Sequence, residues 1–300
     1  MTEKFTAQWP LPGGDSLYYT ATDGFACDQL REITRICGFA VANEAPQDAF
    51  GCNIITTELK DMYRPMHPAN PEVVAWQDNF CALNLHPGKK KLDAYIYETT
   101  SPTPEKFGFL WRRIFYAGVL TKLIRAESFF VHGILAEYNG NGIIISGPSG
   151  VGKSTAARRL PPPWRVASDD CLLVTRTPDG FFAQPVPTWS IYFAKSAPPR
   201  IYDSKEILPL RGVYLLDRGA DYAEQLNKLQ ATVGFTKSIC DMTGISFGHN
   251  PPPEAAGWYK IALNAGLQLV DSVPCYHLFA TLHGRFWDAL ESTLEANPHG

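Results

Sequence analysis

Apolar and polar residues alternate in "SLYYTATDG", from Ser16, and in "KLDAYIYETT", from Lys91, which predicts two strands. Between them "ACDQLREITRICGF" carries its apolar residues three and four apart, the spacing of an amphipathic helix. A second helix is expected over "EKFGFLWRRIFYAGVLTKLIRAE". Thr103-Pro104-Glu105 opens it with a capping hydroxyl and a proline in the first turn, and its apolar content marks it as buried. The pattern then turns to strands. Phe129 to Tyr138 and Gly142 to Ser146 are apolar runs joined by Asn139-Gly140-Asn141-Gly142, and Asn-Gly tolerates the positive φ angles of a tight hairpin. Downstream, "WRVASDDCLLVTRT" predicts a strand, an acidic turn and a strand; "PDGFFAQPVPTW" continues as a hairpin, and "LRGVYLLDRG" is a further strand. Asp221 to Met242 and Glu254 to Leu267 are expected as helices, "VPCYHLFA" as a late strand and Arg285 to Glu295 as a closing amphipathic helix. Strands outside simple βαβ order predict an α/β domain with a mixed sheet.

"TTSPTPEKFG", from Thr99 to Gly108, is the best candidate boundary. It divides the chain into a smaller α+β module over 1–105 and a larger domain over 106–300. Composition narrows the class. With 45% apolar and 19% charged residues the chain can bury a core, and a net charge of −3 argues against nucleic acid as the main partner. The dense basic run Lys89-Lys90-Lys91 is expected at a solvated hairpin tip. No apolar run reaches the roughly 18 residues of a membrane span, and "MTEKFTAQWP" lacks a signal-peptide layout. Seven scattered cysteines without a Cys-x-x-Cys pair fit reduced thiols in a cytoplasmic protein and argue against zinc. These numbers are compatible with a homo-oligomer.

The chemistry concentrates in one loop. Gly147, Pro148, Ser149, Gly150, Val151, Gly152, Lys153 and Ser154 fit G-x-x-x-x-G-K-[ST] in full, and Thr155 follows. Glycines let successive backbone N–H groups turn inward into an anion nest, and the helix that follows adds its positive end. Lys153 supplies a cation for the β and γ phosphates, and the Ser154 hydroxyl suits a Mg²⁺ position. An apolar strand before and a helix after give the motif its proper context, so the expected ligand is a nucleoside triphosphate with Mg²⁺.

Two further features flank the loop. His132-Gly133 lies on the first arm of the hairpin that leads into it, and Ser168-Asp169-Asp170 follows the strand "RVAS". A lone strand histidine usually packs in a core, and an Asp-Asp turn usually faces water; their spacing around the loop favours function for both. One carboxylate on such a turn can hold Mg²⁺ and the other can take the proton of an attacking hydroxyl. Beside a divalent ion both stay ionised. Asp169 is assigned as base and Asp170, with Ser154, to the metal, though the reverse order of the two acids serves equally. His132 can orient the γ-phosphate or the acceptor.

Over Val131 to Asp170 the chain resembles the HPr kinase/phosphorylase family, whose pattern is a His-Gly, a hairpin, a G-x-S-G-x-G-K-[ST] loop and an Ala-Asp-Asp turn. It is more similar to short kinase-like relatives from gene clusters for modified peptides and to the SynChlorMet cassette proteins. The resemblance implies a P-loop kinase core with the fold of phosphoenolpyruvate carboxykinases and phosphoryl transfer from ATP to a hydroxyl. It places His132 at the family's active-site histidine, Asp169 and Asp170 at its acidic pair, and Arg211 at an arginine before a core strand. This sequence departs from the bifunctional members. "TRTPDGFFAQPVPTWSIYF" has no matching glutamate after the acidic turn, and Thr155 replaces an acidic residue, so kinase activity without phosphate removal is expected.

The acceptor is less legible. A Ser or Thr of a small peptide or protein is the first expectation, with residues 1–105 as its recognition module. The alternatives are a free amino acid or metabolite, and a nucleotide-sensing partner of a biosynthetic enzyme without transfer. Lys195, Arg200 and Lys205 lie in a loop that could close over phosphate or acceptor. Trp164 and Trp189 flank the acidic turn and are expected to pack under the site rather than stack on a base.

Overall fold

The computed structural model describes residues 3–57, 74–77, 81–86, 90–97, 114, 119, 127–186, 203–247 and 255–297. The chain is mixed α/β and divides into two compact units. The first takes Met1–Arg125 with Pro187–Lys205 and Thr243–Trp258, and the second takes Ala126–Val186, Glu206–Met242 and Tyr259–Gly300. The candidate boundary in the sequence lies near residue 105. The first unit runs past it to Arg125 and also takes one segment beyond the hairpin ending at Pro185 and another reached from a helix that passes Met242.

The first unit is built on a seven-stranded mixed sheet. Its strands are β1 (Phe5–Pro10), β2 (Ser16–Ala21), β3 (Ala40–Ala42), β4 (Phe50–Thr57), β5 (Val74–Gln77), β6 (Cys81–His86) and β7 (Lys91–Tyr97). Helix α1 (Gly24–Cys37) buries Leu30, Ile33 and Ile36. The Asp23 carboxylate caps it by accepting from the Ala26 amide at 2.9 Å, and Gly38 at φ 68° ends it. Trp9 and Tyr19 are fully buried core residues. The basic run falls at the β6–β7 hairpin, where His86 pairs with Lys91; its first lysine, Lys89, lies outside the described residues. Of the expected helix after Thr103, only Ile114 and Val119 are described, both helical and buried.

The second unit carries an eight-stranded mixed sheet. Strand β8 (Ser128–Tyr138) turns through Asn139 and Gly140, at φ 51° and 81°, into β9 (Asn141–Ser146). The expected hairpin forms for the expected reason. The loop then leads into α2 (Lys153–Arg159), followed by β10 (Arg165–Ser168), β11 (Cys171–Thr177), β12 (Gly180–Pro185) and β13 (Leu208–Arg218). Next come β14 (Tyr222–Gln225), α3 (Lys228–Phe247), α4 (Ala255–Val270), β15 (Cys275–Ala280) and α5 (Phe286–Ala296). One expectation fails here. The sequence predicts a helix from Asp221, but Tyr222–Gln225 pairs antiparallel with β15, and the helix begins at Lys228. Tyr222 stacks on Phe279 at 4.6 Å, a cross-strand contact that a helix-period reading cannot anticipate.

β9 is central. It pairs antiparallel with β8 on one edge and parallel with β13 on the other, and β13 runs parallel to β15. Its apolar run is buried from Gly142 to Ser146, the mark of a strand covered on both faces. On one face Ile143 and Ile145 join a cluster with Ala156 of α2 and Phe286 and Leu290 of α5. Elsewhere in the unit Phe235 of α3 meets Phe129 of β8 edge-on at 6.2 Å. The loop after β9 is thus anchored to a buried strand of this unit.

Candidate active site

Residues Gly147 to Gly152 bend between β9 and α2. Gly147 sits at φ 153°, and a Cβ there would come within 2.8 Å of the Leu216 carbonyl oxygen, so the close approach of loop and neighbouring strand demands glycine. Gly150 at φ 78° and Gly152 at φ 118° supply the left-handed turns from which an anion nest is built. Lys153 opens α2 but folds back over the loop. Its Nζ donates to the carbonyls of Gly147 at 2.8 Å and Pro148 at 3.1 Å, and the residue is 8% exposed. Burial lowers its pKa, while the charges of Asp170 and Asp241 oppose that shift. Ser154 is exposed, and Thr155 is half-buried with Arg158 at 3.5 Å from its hydroxyl.

Strand pairing brings the histidine and the acids to this loop. Cys171 pairs with His132, and the Gly133 amide donates to the Asp170 carbonyl at 3.1 Å, which stitches the acidic turn to β8. His132 Nε2 thereby lies 3.6 Å from Asp170 Oδ1. Burial pushes the His132 pKa down, the Lys153 charge adds to that, and Asp170 and Asp241 pull the other way. Asp169 occupies the same turn, half-buried. Below them Ser146 Oγ donates to the His132 carbonyl at 2.7 Å and stands 2.6 Å from Ser238 Oγ. Both serines are buried, so α3 is tied to the root of the loop, and Asp241 follows Ser238 by one turn of that helix.

The structure thus brings together His132, the acidic turn, Lys153 and the glycine loop. It does not bring Arg211 there. Pairing of β13 with β9 shifts register between Leu210 and Gly212, so Arg211 is the extra residue of a bulge. Its Nε donates to Asn141 Oδ1 at 3.2 Å, beside the hairpin turn at the far end of β9. The run from Arg211 to Leu215, the partner of Ser146, is roughly 13 Å of strand. The arginine that does reach the loop is Arg218 at the other end of β13, where Nη2 donates to the Gly150 carbonyl at 3.0 Å. Trp164 packs as expected: it is 6% exposed, lies 4.6 Å from Tyr138 and donates to Glu291. Lys205 belongs to the first unit, and Lys195, Arg200 and Trp189 lie outside the described residues.

Sequence reasoning missed Asp241, Ser238 and Arg218. The first two stand on a helix whose distance from the loop in sequence hides them. Arg218 closes a strand already recognised, but only the strand order makes it a neighbour of β9. Among the described residues no three His, Cys, Asp or Glu side chains converge on a metal position. A Ser154 hydroxyl and an Asp170 carboxylate fit the way Mg²⁺ is usually held beside phosphates, by one or two protein oxygens plus phosphate and water.

The model of the family described as "SynChlorMet cassette protein ScmC" matches residues 103–295, well over half of the 300-residue chain. No curated protein matches it. This chain belongs to the ScmC family of SynChlorMet cassette proteins.

Proposed function

We propose that this protein is an ATP-dependent kinase of the HPr kinase-like type, with a P-loop core that transfers the γ-phosphate to a Ser or Thr hydroxyl of a small peptide or protein. The observation that carries the reading is convergence. Lys153, folded over the glycine loop, and the His132–Asp170 pair at 3.6 Å belong to one unit, and strand register holds them in place. Phosphoryl transfer asks for those parts and for little covalent chemistry from the protein.

Each residue then has a task. The amides of the glycine loop and the Lys153 ammonium hold the phosphates and offset their charge. Ser154 and Asp170 would hold Mg²⁺, which supplies Lewis-acid stabilisation of the γ-phosphate when bound. Asp169, on the same turn, accepts the proton of the incoming hydroxyl. His132, kept neutral near pH 7 by its lowered pKa, donates or accepts a hydrogen bond without adding charge. The segment 1–105 remains the proposed acceptor module.

Isothermal titration with Mg·ATP, paired with ADP release in the presence of candidate peptides, tests this reading. Lys153→Ala should weaken ATP binding by about 100-fold, the scale of losing a charge-assisted contact in a partly buried site. Unchanged affinity in that variant removes the phosphate cradle and the kinase with it.

A further inference from the structure

β9 has β8 on one edge and β13 on the other, so its loop has two flanks. His132 and the acidic turn occupy the β8 flank. On the β13 flank opens a cleft of about 760 Å³, within the usual size range for a small-molecule site. Gly150, Val151 and Gly152 of the loop form one wall. Leu216, Ala280 and Leu282 form much of the rest, from the carboxyl ends of the parallel strands β13 and β15. That end of a parallel sheet is where open α/β folds take ligands.

Two arginines border the cleft, and both are held. Arg159 donates to the carbonyls of Thr281, at 2.7 Å, and Gly284, and its guanidinium lies 5.3 Å from the Phe286 ring centre. Arg218 is tied to Gly150. Asp217 adds an acceptor-only carboxylate to the lining, 3.6 Å from His277 Nε2. Apolar walls for a flat ring, cations beside the loop and an acceptor for hydroxyl or amino hydrogens together describe a nucleoside site. An occupant of this cleft must also be continuous with whatever the loop holds, because the loop is its wall.

We infer that this cleft binds the nucleoside end of the triphosphate. The phosphate chain crosses the loop from the β13 flank to the β8 flank, and the acceptor hydroxyl approaches from the side of His132 and Asp169. The inference rests on the kinase reading but can fail separately.

Affinities of the full chain for ATP and for inorganic tripolyphosphate, each with Mg²⁺, decide it. ATP should bind at least about tenfold tighter, since a buried base adds apolar and polar contacts that the bare phosphates lack. Ala280→Trp, which fills the cleft, should remove that advantage and leave tripolyphosphate affinity within about twofold. Leu282→Trp does the same from a residue 65% exposed, where folding is not at stake. Equal binding of the two ligands by the unaltered protein overturns the cleft assignment and leaves the phosphate cradle standing. So do tryptophan variants that keep the ATP advantage. Binding of neither ligand overturns the kinase reading itself.

Discussion

The two flanks of the glycine loop are made of different material. On the β8 side stand an imidazole, two carboxylates of one turn and, on α3, a third acid; of these His132, Asp170 and Asp241 interact with the Lys153 charge. On the β13 side the walls are mainly aliphatic, and the two arginines are tied to backbone carbonyls. The contrast follows the demands of the chemistry proposed here. Charge that develops at the terminal phosphorus needs ionised groups whose balance is tuned by burial, whereas recognition of a ring needs apolar area and a few fixed polar atoms. Substitutions on the two flanks should therefore fail in different ways: losses of rate on the first and losses of affinity on the second.

The largest effect is expected at Asp169. Asn keeps the shape of the side chain and removes its capacity to take a proton, so Asp169→Asn should lower phosphoryl transfer by about 10²–10⁴-fold. ATP affinity, measured by titration, should stay within about twofold. A variant that retains most of its transfer rate would show that the charged flank holds no base at this position, and Asp170 would take its place.

His132 comes next. The groups that act on its charge are Lys153, Asp170 and Asp241. Burial and Lys153 together outweigh the acids, so the pKa lies below the ordinary 6.5. The sign follows: as pH falls through 6.5 the unfolded chain takes up the proton before the folded one does, and the folded state loses stability in that window. Transfer should accordingly hold constant down to about pH 6.5 and decline only below it. His132→Gln should lower the rate at pH 7.5 by about tenfold and abolish the contribution of this histidine to the acidic decline. A profile unchanged by the substitution would return His132 to the role of a packed strand residue.

How much of this was legible in the sequence differs between the flanks in the same way. His132, the loop and the acidic turn lie within one short stretch, and local signals suffice there: a turn that needs Asn-Gly, a loop that needs glycine, a strand that ends in acids. Their meeting depends only on neighbouring hairpins. The other flank is assembled from the ends of β13 and β15, far apart in the chain and joined to the loop by parallel pairing, which leaves no short-range trace. The misassigned start of α3 has the same origin, because Tyr222–Gln225 is a strand only by virtue of β15. Asp241 was invisible because an exposed acid on a helix carries no signal until Ser238 is seen bonded to Ser146.

A smaller effect is expected at Arg218, where the cleft meets the loop. Its guanidinium is exposed and makes one described hydrogen bond, to Gly150. A bond of this kind is worth about 0.5–1.5 kcal/mol, so Arg218→Ala should weaken ATP by about 2- to 10-fold and leave the rate at saturation unchanged. A fall in saturated rate instead would move this arginine to the reacting end and blur the division between the flanks.

The smallest effect is expected from Arg211, and it bears on the carry-over from the family resemblance. Two arginines on one strand compete for the role of loop partner, and the bulge between Leu210 and Gly212 decides between them. It turns Arg211 toward Asn141, roughly 13 Å of strand before the residue that pairs with Ser146. At that distance, with a Debye length of about 8 Å at physiological ionic strength, its charge is largely screened from the phosphates. Arg211→Ala should leave both kcat and ATP affinity within about twofold, while loss of the bond to Asn141 costs stability on the order of 1 kcal/mol, read from urea midpoints. A loss of transfer beyond about tenfold with stability intact would mean that the bulge does not keep Arg211 away from the loop, and that the arginine near the start of β13, not the one at its end, belongs to the site.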